Sequence, residues 1–368
     1  MKLRYKILLG VVIVLAVGVL WLALAMSHTS PCGPAPPVAA GMPQMKGIVH
    51  RCYGSPDVIR YEDLPKPAPA DDEVLVRVHA ASVNPLDWHY LRGTPYLVRM
   101  ESGFGKPQDP RLGVDFAGTV EAVGKRVTRF RPGDEVFGGK FGALADYVTV
   151  RQERALALKP ANMTFEQAAS VPIAGVTALQ ALRDKAQVRA GQKVLINGAS
   201  GGVGTFAVQI AKSLGAEVTG VCSTRNMELV RSIGADHVID YTHDDFTKGT
   251  QRYDVIIDNV GTHSLSEYRH VLTSKGIYVS IGSTTIGNWF AWLEAPLEGM
   301  VLSHFVSQRF ITMLAELNAQ DLGALGTLMQ SGKLTPVIDR KYPLSEAAEA
   351  MRYLEKGHAR GKIVVTAE

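Results

Sequence analysis

A glycine-rich run carries the clearest chemical signal in the chain. It combines four glycines with three small residues: Gly198, Ala199, Ser200, Gly201, Gly202, Val203 and Gly204. Glycines at this spacing permit a tight turn and let the backbone approach the two phosphates of a dinucleotide. The Ser200 hydroxyl adds a hydrogen-bond donor for a phosphate. The run therefore predicts a dinucleotide-binding site; the alternative is a structural turn that is rich in glycine.

The elements on either side give this run the context that it requires. An apolar strand at residues 194–196 precedes it, and an amphipathic helix from Gly204 to Leu214 follows it. The amino end of such a helix offers unpaired N–H groups and the positive end of the helix dipole. We therefore expect the pyrophosphate to lie at the start of this helix.

The next strand, at residues 216–222, bears on the choice between the two nicotinamide cofactors. An NAD site usually has an acidic residue after this strand, which binds the ribose 2′-hydroxyl. Residues 221–226 contain no acid, whereas Ser223 and Arg225 offer a hydroxyl and a positive charge that suit a 2′-phosphate. The sequence thus predicts NADPH; alternatively, Arg225 is a solvated loop residue.

The order of elements along the chain predicts an α/β fold. From residue 46 to about 160, short apolar or alternating strands are separated by turns rich in Pro, Gly and Asp. Residues 164–186 are predicted to form one helix, after which strands alternate with helices up to about residue 282. Such alternation is typical of βαβ units and a parallel sheet. Mixed α/β structure follows to the end.

Composition excludes several classes of function. The net charge is +4, and no basic run with interleaved aromatic residues occurs, so we expect no nucleic-acid partner. The three cysteines, Cys32, Cys52 and Cys222, are scattered. They predict neither a disulfide framework nor a metal site.

The amino-terminal segment differs from the rest of the chain. Lys2, Arg4 and Lys6 precede an uncharged stretch at residues 7–26, whose length as a helix is about 30 Å, enough to span a membrane. We expect a membrane anchor at residues 1–26 and a Pro/Ala-rich linker at 27–45. A cleaved signal peptide is the alternative, because residues 23–25 follow a small-x-small pattern. The flanking charges favour transfer of the following domain across the membrane, where a supply of NADPH is not expected, so its side stays open.

Several longer motifs resemble the medium-chain dehydrogenase/reductase superfamily, in particular its quinone oxidoreductase branch. These motifs are SVNPLDWHYLRG, GVDFAGTVEAVG, PGDEVFG, LINGASGGVGTFAVQIAKSLGAEVTGVC and GHARGKIVV. The resemblance covers about residues 46–368. It implies a GroES-like, β-rich catalytic domain formed by residues 46–172 and 313–368. A Rossmann domain with a doubly wound parallel sheet, residues 173–312, would bind the cofactor, and the active site would lie in the cleft between the two domains.

The resemblance also implies an enzyme that works without zinc. Zinc alcohol dehydrogenases of this superfamily hold the metal with two cysteines and one histidine. At the matching positions this chain has Asn84, Val114 and approximately Ala174. Zinc needs about four N, S or O ligands, which these residues do not supply.

Candidate catalytic residues follow from the same resemblance. Asn84 and Asp87 occupy matching polar positions beside the nicotinamide pocket, and His89 stands where related enzymes often have Tyr. Asn84 or His89 would stabilise the negative charge on the acceptor, with the proton coming from His89 or water. Alternatively, Asp87 caps the turn after Pro85, and His89 is satisfied elsewhere.

The resemblance places further residues around the cofactor. Thr177 would approach the nicotinamide and Tyr241 the adenosine phosphate. Gly282 and Ser283 would flank the nicotinamide ribose. Residues Arg360, Gly361 and Lys362 would close the cofactor cleft from the carboxyl-terminal side. Lys362 is equally interpretable as a solvated strand end.

Three functions remain open on the sequence. The first is NADPH-dependent reduction of a quinone, and the second is reduction of an alkenal or enone double bond. The third is a membrane-bound, NADPH-binding redox sensor or scaffold. Small-molecule substrates are expected in the first two cases, and a homodimer could form through an edge strand at residues 276–283.

Overall fold

The structure is a computed structural model that describes residues 2–39, 41–282, 299 and 306–367. In these ranges the helices are α1 (Lys2–Ser27), α2 (Pro85–Arg92), α3 (Arg99–Ser102), α4 (Phe165–Ala169), α5 (Pro172–Gln180), α6 (Gly202–Ser213), α7 (Met227–Ser232), α8 (Leu265–Val271), α9 (Ala319–Gln330) and α10 (Ala347–Glu355). The strands are β1 (Gln44–His50), β2 (Ile59–Pro65), β3 (Glu73–Val83), β4 (Asp115–Val123), β5 (Glu135–Gly139), β6 (Tyr147–Arg151), β7 (Leu156–Leu158), β8 (Lys193–Asn197), β9 (Glu217–Cys222), β10 (His237–Asp240), β11 (Tyr253–Asp258), β12 (Leu272–Ser280), β13 (Arg309–Thr312), β14 (Ile338–Pro343) and β15 (Lys362–Thr366).

One sheet joins strands from distant parts of the chain. Its order is β14-β15-β3-β4-β5-β7, with β6 paired to β3, and most of its pairs are antiparallel. Strands β14 and β15 follow the second sheet in sequence yet complete the first sheet in space. Alternate residues of β3, such as Val74, Val76 and Val78, are buried in the core of this sheet, as the period of two in a strand requires.

The second sheet is parallel and has the order β10-β9-β8-β11-β12-β13. Its central strands are continuous apolar runs at residues 194–196 and 255–257, which are buried, as expected when helices cover both faces. The strand order reverses between β8 and β11, and a ligand crevice opens at the carboxyl ends of strands at such a point. The predicted α/β fold is confirmed, while the domain boundaries at residues 172 and 312 stay predictions.

One predicted helix was wrong, and strand β13 was missed. The single helix predicted at residues 164–186 is interrupted: α4 ends at Ala169, and Pro172 begins α5. Proline lacks an N–H group and clashes with a preceding turn, so it fits the first turn of a new helix rather than a helix interior. Strand β13 was not predicted, because four residues, two of them polar, show little periodicity.

The position of β13 also corrects the proposed dimer edge. It pairs with β12 through Ile277↔Arg309 to Ser280↔Thr312. Residues 276–280 therefore lie inside the sheet, and the outermost strands in the described ranges are β10 and β13. Homodimer formation stays a prediction without that edge.

The expectation of no disulfide was wrong. Cys32 and Cys52 form a disulfide with Cα atoms 4.7 Å apart, while Cys222 is buried and unpaired in the described structure. Sequence spacing did not reveal this pair, because it depends on residues 28–32 folding back onto the end of β1.

The helix α1 exposes apolar side chains along most of its length. Its part from Leu9 to Ser27 is long and apolar enough to cross a membrane. A membrane anchor and a signal sequence share these properties.

Candidate active site

The glycine run connects β8 to α6, with the helix starting at Gly202, two residues before the predicted start. Gly204 is required at its position, because a Cβ atom there would lie 2.1 Å from the Gly198 carbonyl oxygen. This close approach of the helix to the preceding strand end leaves the first amides of α6 at the crevice, where helix N–H groups have no intrahelical partner. The structure thus has the strand, glycine turn and helix that the sequence predicts, and phosphate binding there stays a prediction.

Gly361 joins this turn to the other sheet. Its N–H donates to the Ser200 carbonyl oxygen at 2.9 Å, and it forms a parallel bridge with Gly201. Its φ of +95° favours glycine, and an added Cβ would lie 2.3 Å from the Val337 carbonyl oxygen. Gly361 therefore holds the start of β15 against the glycine turn at residues 198–204, which we call the cofactor turn.

Two asparagines at the crevice were missed in the sequence. Asn226 donates to the Ser200 hydroxyl at 3.0 Å, and Asn259 donates to the Asn197 carbonyl oxygen at 2.8 Å. The Oδ1 atom of each is buried without a hydrogen-bond partner among the described residues. Such acceptors suit the hydroxyl and amide groups of a nucleotide, so this crevice fits a dinucleotide. Their placement just after β9 and β11 could have identified them.

The predicted 2′-phosphate site lies at the ends of β9 and β10. Arg225 is exposed and donates to the His358 carbonyl oxygen at 3.0 Å. Tyr241 is exposed directly after β10. Asp240, which was missed, lies beside Thr224, and hydrogen bonds from Thr224 and Thr242 lower the pKa of Asp240 to about 2. Both its oxygens accept protein hydrogen bonds, so this carboxylate is already satisfied.

The remaining cofactor candidates are distributed around the crevice. Ser223 lies at the end of β9, where its hydroxyl accepts from Asn226 at 3.2 Å, and Val203 is partly buried in the first turn of α6. The Thr177 hydroxyl donates to Ile173 within α5 at 2.7 Å. Gly282 follows β12, and Ser283 lies outside the described residues. Arg360 is exposed, with its N–H donating to Asp339 at 2.9 Å.

A buried polar cluster occupies the ends of three neighbouring strands. Ser82 in β3 faces Asp115 at the start of β4, and Val83 faces Ile363 in β15. This register brings Asn84, Asp115 and Lys362 together, although they are far apart in sequence. We call residues Ser82, Asn84, Asp87, Asp115 and Lys362 the polar cluster.

Lys362 is a buried member of this cluster. It was expected either to close the cofactor cleft or to be a solvated strand end, but its side chain is 4% exposed. Its ammonium group donates to Asn84 Oδ1 and lies 3.4 Å from Asp115 Oδ2. On the way it passes the cofactor turn, with Cδ 3.3 Å from the Cβ position of Gly202. The solvated-end interpretation is therefore wrong.

Asp115 collects donors from three further groups. Its oxygens accept from Ser82 Oγ, Asn84 Nδ2 and the Ile173 N–H at the start of α5, each at 3.0 Å. Burial raises the pKa of Asp115, against the lowering effect of Lys362. Asn84 thus has its oxygen on Lys362 and an N–H on Asp115, which holds the amide in one orientation.

Asp87 combines a capping contact with an unusual environment. Its Oδ2 accepts from the Asn84 N–H at 2.7 Å, so the alternative of a carboxylate that caps the turn has direct support. Its Oδ1 has no partner among the described residues. Burial, followed by the charge of Asp115, raises the pKa of Asp87 to about 7. Near neutral pH a substantial fraction of Asp87 therefore carries a proton.

His89 does not match the role of proton donor. It is half-buried, and its Nδ1 contacts the Thr94 carbonyl oxygen at 2.8 Å, which fixes the proton on Nδ1 because a carbonyl only accepts. Burial lowers the pKa of His89, so the ring is neutral at pH 7 and Nε2 carries a lone pair. The expectation that His89 supplies a proton or stabilises an oxyanion is thus not supported in this arrangement.

The residues at the zinc position do not fit a metal. The Asn84 oxygen is bound by Lys362, and Val114 and Ala174 are buried apolar side chains. In the described ranges no group of three His, Cys, Asp or Glu side chains is placed to hold a metal ion. A lysine ammonium instead contacts Asn84, the residue at the first ligand position.

Comparisons with known proteins identify the family of the chain. Residues 70–161 match the alcohol dehydrogenase GroES-like domain, and residues 233–365 match the family described as zinc-binding dehydrogenase. The mouse mitochondrial NAD(P)H oxidoreductase RTN4IP1 is 36% identical over 356 residues, covering 85% of this chain and 87% of the relative. The chain belongs to the medium-chain dehydrogenase/reductase superfamily. It is an oxidoreductase with a GroES-like and a Rossmann-like domain, as the resemblance implied.

Two further relatives of this superfamily differ in the reactions that they are named for. The trans-enoyl reductase pgmF of Aspergillus terreus is 37% identical over 322 residues, covering 80% of this chain and 86% of the relative. The quinone oxidoreductase of Coxiella burnetii has a solved structure that is 33% identical, with a TM-score of 0.77, covering 89% of this chain and all of that one. The similarity therefore establishes the family and leaves the acceptor to be determined.

Proposed function

We propose that this chain is a zinc-independent, NADPH-dependent quinone reductase that is tethered to a membrane through α1. The observation that carries the proposal is the contact of the Lys362 ammonium with both Asn84 and Asp115. It places a positive charge beside the glycine turn, in contact with Asn84, which the resemblance matches to a zinc ligand of other members of the superfamily. Relatives named as quinone oxidoreductases and as NAD(P)H oxidoreductases support the choice of reaction.

The cofactor would be held by the residues already placed around the crevice. The turn from Gly198 to Gly204 and the first amides of α6 would bind the pyrophosphate. Asn226 and Asn259 would accept hydrogen bonds from its hydroxyl groups through their unpaired oxygens. Bound NADPH supplies a hydride, and the protein orients the reactants and excludes water.

Ser223 and Arg225 favour NADPH over NADH. Arg225 is exposed at the end of β9 with its guanidinium held by the His358 carbonyl oxygen, so most of its donors stay available to a phosphate. Asp240, the carboxylate near this site, already accepts hydrogen bonds from Thr224 and Thr242 on its two oxygens. It is therefore poorly placed to bind a ribose 2′-hydroxyl, as the acid of an NAD site does, whereas the Arg225 guanidinium would attract a 2′-phosphate.

The polar cluster would stabilise the negative charge that develops on the acceptor. An ammonium group has three N–H donors, and Asn84 and Asp115 take two of them in the described structure, which leaves one for the acceptor oxygen. A buried charge acts strongly because the surrounding dielectric is low. Reduction of a quinone to a quinol needs one hydride and one proton, and Asp87, with a pKa of about 7, is a suitable proton source.

Steady-state kinetics on the full chain in mild detergent test this function. A 1,4-benzoquinone should be reduced with one NADPH consumed per quinol formed. The value of kcat/KM should be about tenfold higher with NADPH than with NADH, the worth of one partly exposed charge-assisted hydrogen bond. The rate should survive dialysis against a chelator. Absence of turnover with either nicotinamide, or loss of the rate with the metal, would contradict the proposal.

Reduction of an activated double bond is the second candidate. It is favoured by the similarity to a trans-enoyl reductase, and in both reactions charge develops on an oxygen conjugated to the carbon that receives the hydride. A comparison of 1,4-benzoquinones with 2-alkenals under identical conditions separates the two. A kcat/KM for alkenals that exceeds that for every quinone tested would replace the first candidate by the second.

A further inference from the structure

A buried arginine caps the carboxyl end of α1. Arg99 is 3% exposed, and its guanidinium donates to the carbonyl oxygens of Met26 at 2.9 Å and His28 at 2.6 Å. The last carbonyls of a helix have no intrahelical partner and carry the negative end of its dipole. Arg99 also lies over the Tyr53 ring, 4.4 Å from its centroid. A charged residue of the GroES-like catalytic domain, which we call the catalytic part, thus hydrogen-bonds the carbonyl groups at the end of the apolar helix.

The chain that leaves α1 is fastened to the same region by two further contacts. The Ser30 N–H donates to the Gly105 carbonyl oxygen at 2.8 Å, and Cys32 is joined to Cys52. Residues 27–32, which we call the exit segment, therefore follow the surface of the catalytic part. The orientation of α1 relative to residues 93–105 is set by these contacts rather than by a free linker.

The loop around Arg99 exposes two large apolar side chains. Met100 is 61% exposed and Phe104 is 52% exposed, and they flank the residues that contact α1. The helix itself exposes apolar side chains up to Leu24. The exposed apolar side chains of this loop lie beside those of α1, and a lipid bilayer that surrounds α1 would bury both sets.

We propose that residues 96–104, the membrane loop, rest on the bilayer beside α1, with Met100 and Phe104 in the lipid. The proposal rests on the membrane tether of the proposed function and not on its chemistry. The contact extends to the active site, because Arg99 Nε donates to the Gly93 carbonyl oxygen at 2.8 Å. Gly93 is the carboxyl-terminal cap of α2, the helix that contains Asp87. Arg99 thus links the membrane loop to the helix that contains Asp87.

Spin labels measure this contact directly. Met100→Cys and Phe104→Cys are each labelled with a nitroxide maleimide in the oxidised protein, in which Cys32 and Cys52 are paired and Cys222 is buried. The full chain is reconstituted into phosphatidylcholine vesicles. Accessibility to oxygen and to a water-soluble nickel complex then gives the depth of each label. Leu314→Cys, at a side chain that is 95% exposed, is the control in water.

Labels at positions 100 and 104 are expected to be shielded from nickel and accessible to oxygen, while the label at 314 is accessible to nickel. Arg99→Ala should return both labels to water, and Arg111→Ala, which breaks an exposed pair with Asp109, should not. If the vesicles carry the protein and the labels at 100 and 104 behave like the label at 314, the membrane loop is refuted. If the protein does not float with the vesicles, both the membrane tether and the membrane loop are refuted. Turnover of NADPH, measured separately, tests the reductase on its own.

Discussion

Replacement of Lys362 by Met tests whether the polar cluster is a stabilising pair and a catalytic charge at once. The change keeps the length of the side chain and removes the ammonium group that lies 3.4 Å from Asp115 Oδ2. It leaves a buried carboxylate with three neutral donors, from Ser82, Asn84 and Ile173. Removal of one partner of a buried ion pair costs about 3–5 kcal/mol. Because three donors remain, we expect the lower end, about 3 kcal/mol.

Urea unfolding of the full chain in detergent measures this loss as a free energy. Lys341→Met is the matched control, since Lys341 lies on the neighbouring strand β14 and pairs with Glu166 at 2.8 Å on the exposed surface. Such a pair contributes about 0–1 kcal/mol. The double variant Lys362→Met/Asp115→Asn removes the orphaned charge. It should recover about 2 kcal/mol relative to the single variant.

The catalytic part of the argument has a separate readout. Loss of a charge that acts on the developing oxyanion lowers kcat by roughly 10²–10³, whereas KM for NADPH should change little. The double variant should recover stability and not kcat. A Lys362→Met enzyme that unfolds at lower urea and turns over at the wild-type kcat would show that Lys362 is structural. Unchanged stability would refute the assignment of a buried pair.

Three other outcomes follow from the structure. The folded-state pKa of Asp87, about 7, lies above its unfolded value, so the folded state holds this proton more tightly and stability should fall as pH rises from about 4 to about 7, by up to about 4 kcal/mol. Urea midpoints across this range should show a slope that Asp87→Asn reduces, and an unchanged slope in the variant would contradict the assignment. Arg225→Ala should lower kcat/KM for NADPH by about tenfold and leave that for NADH unaltered; an equal loss for both would place Arg225 elsewhere. Thiol titration of the unfolded chain should find one reactive cysteine without reductant and three with it, and three in both conditions would exclude the Cys32–Cys52 bond.

The glycine turn between β8 and α6 could be predicted from sequence because its determinants are local. A strand, a glycine run and an amphipathic helix follow one another within about 20 residues, and each has its own periodicity or composition. The same holds for the order of strands and helices that predicted the α/β fold. Asn226 and Asn259 were missed although they follow parallel strands, where ligands bind. Their position after β9 and β11 is the sequence signal that marks them.

The polar cluster could not be predicted in this way. Asn84, Asp115 and Lys362 meet because β3 lies between β4 and β15, and this pairing depends on the whole sheet. A lysine near the carboxyl terminus has the sequence signature of a solvated residue. The Cys32–Cys52 bond and strand β13 are likewise products of tertiary packing, since neither spacing nor periodicity marks them.

Under the proposed function, the lysine in the cluster would also limit which acceptors the site can reduce. A zinc ion binds an oxygen directly and stabilises a localised alkoxide through a divalent charge. The ammonium of Lys362 bears one charge, shares it with Asp115 at 3.4 Å, and has one N–H left for an acceptor. Its stabilisation of a localised alkoxide is therefore weaker, and it suits acceptors that spread the charge over a conjugated system. A quinone satisfies this condition better than a simple aldehyde, because after hydride transfer its reduced ring delocalises the charge until the single proton arrives.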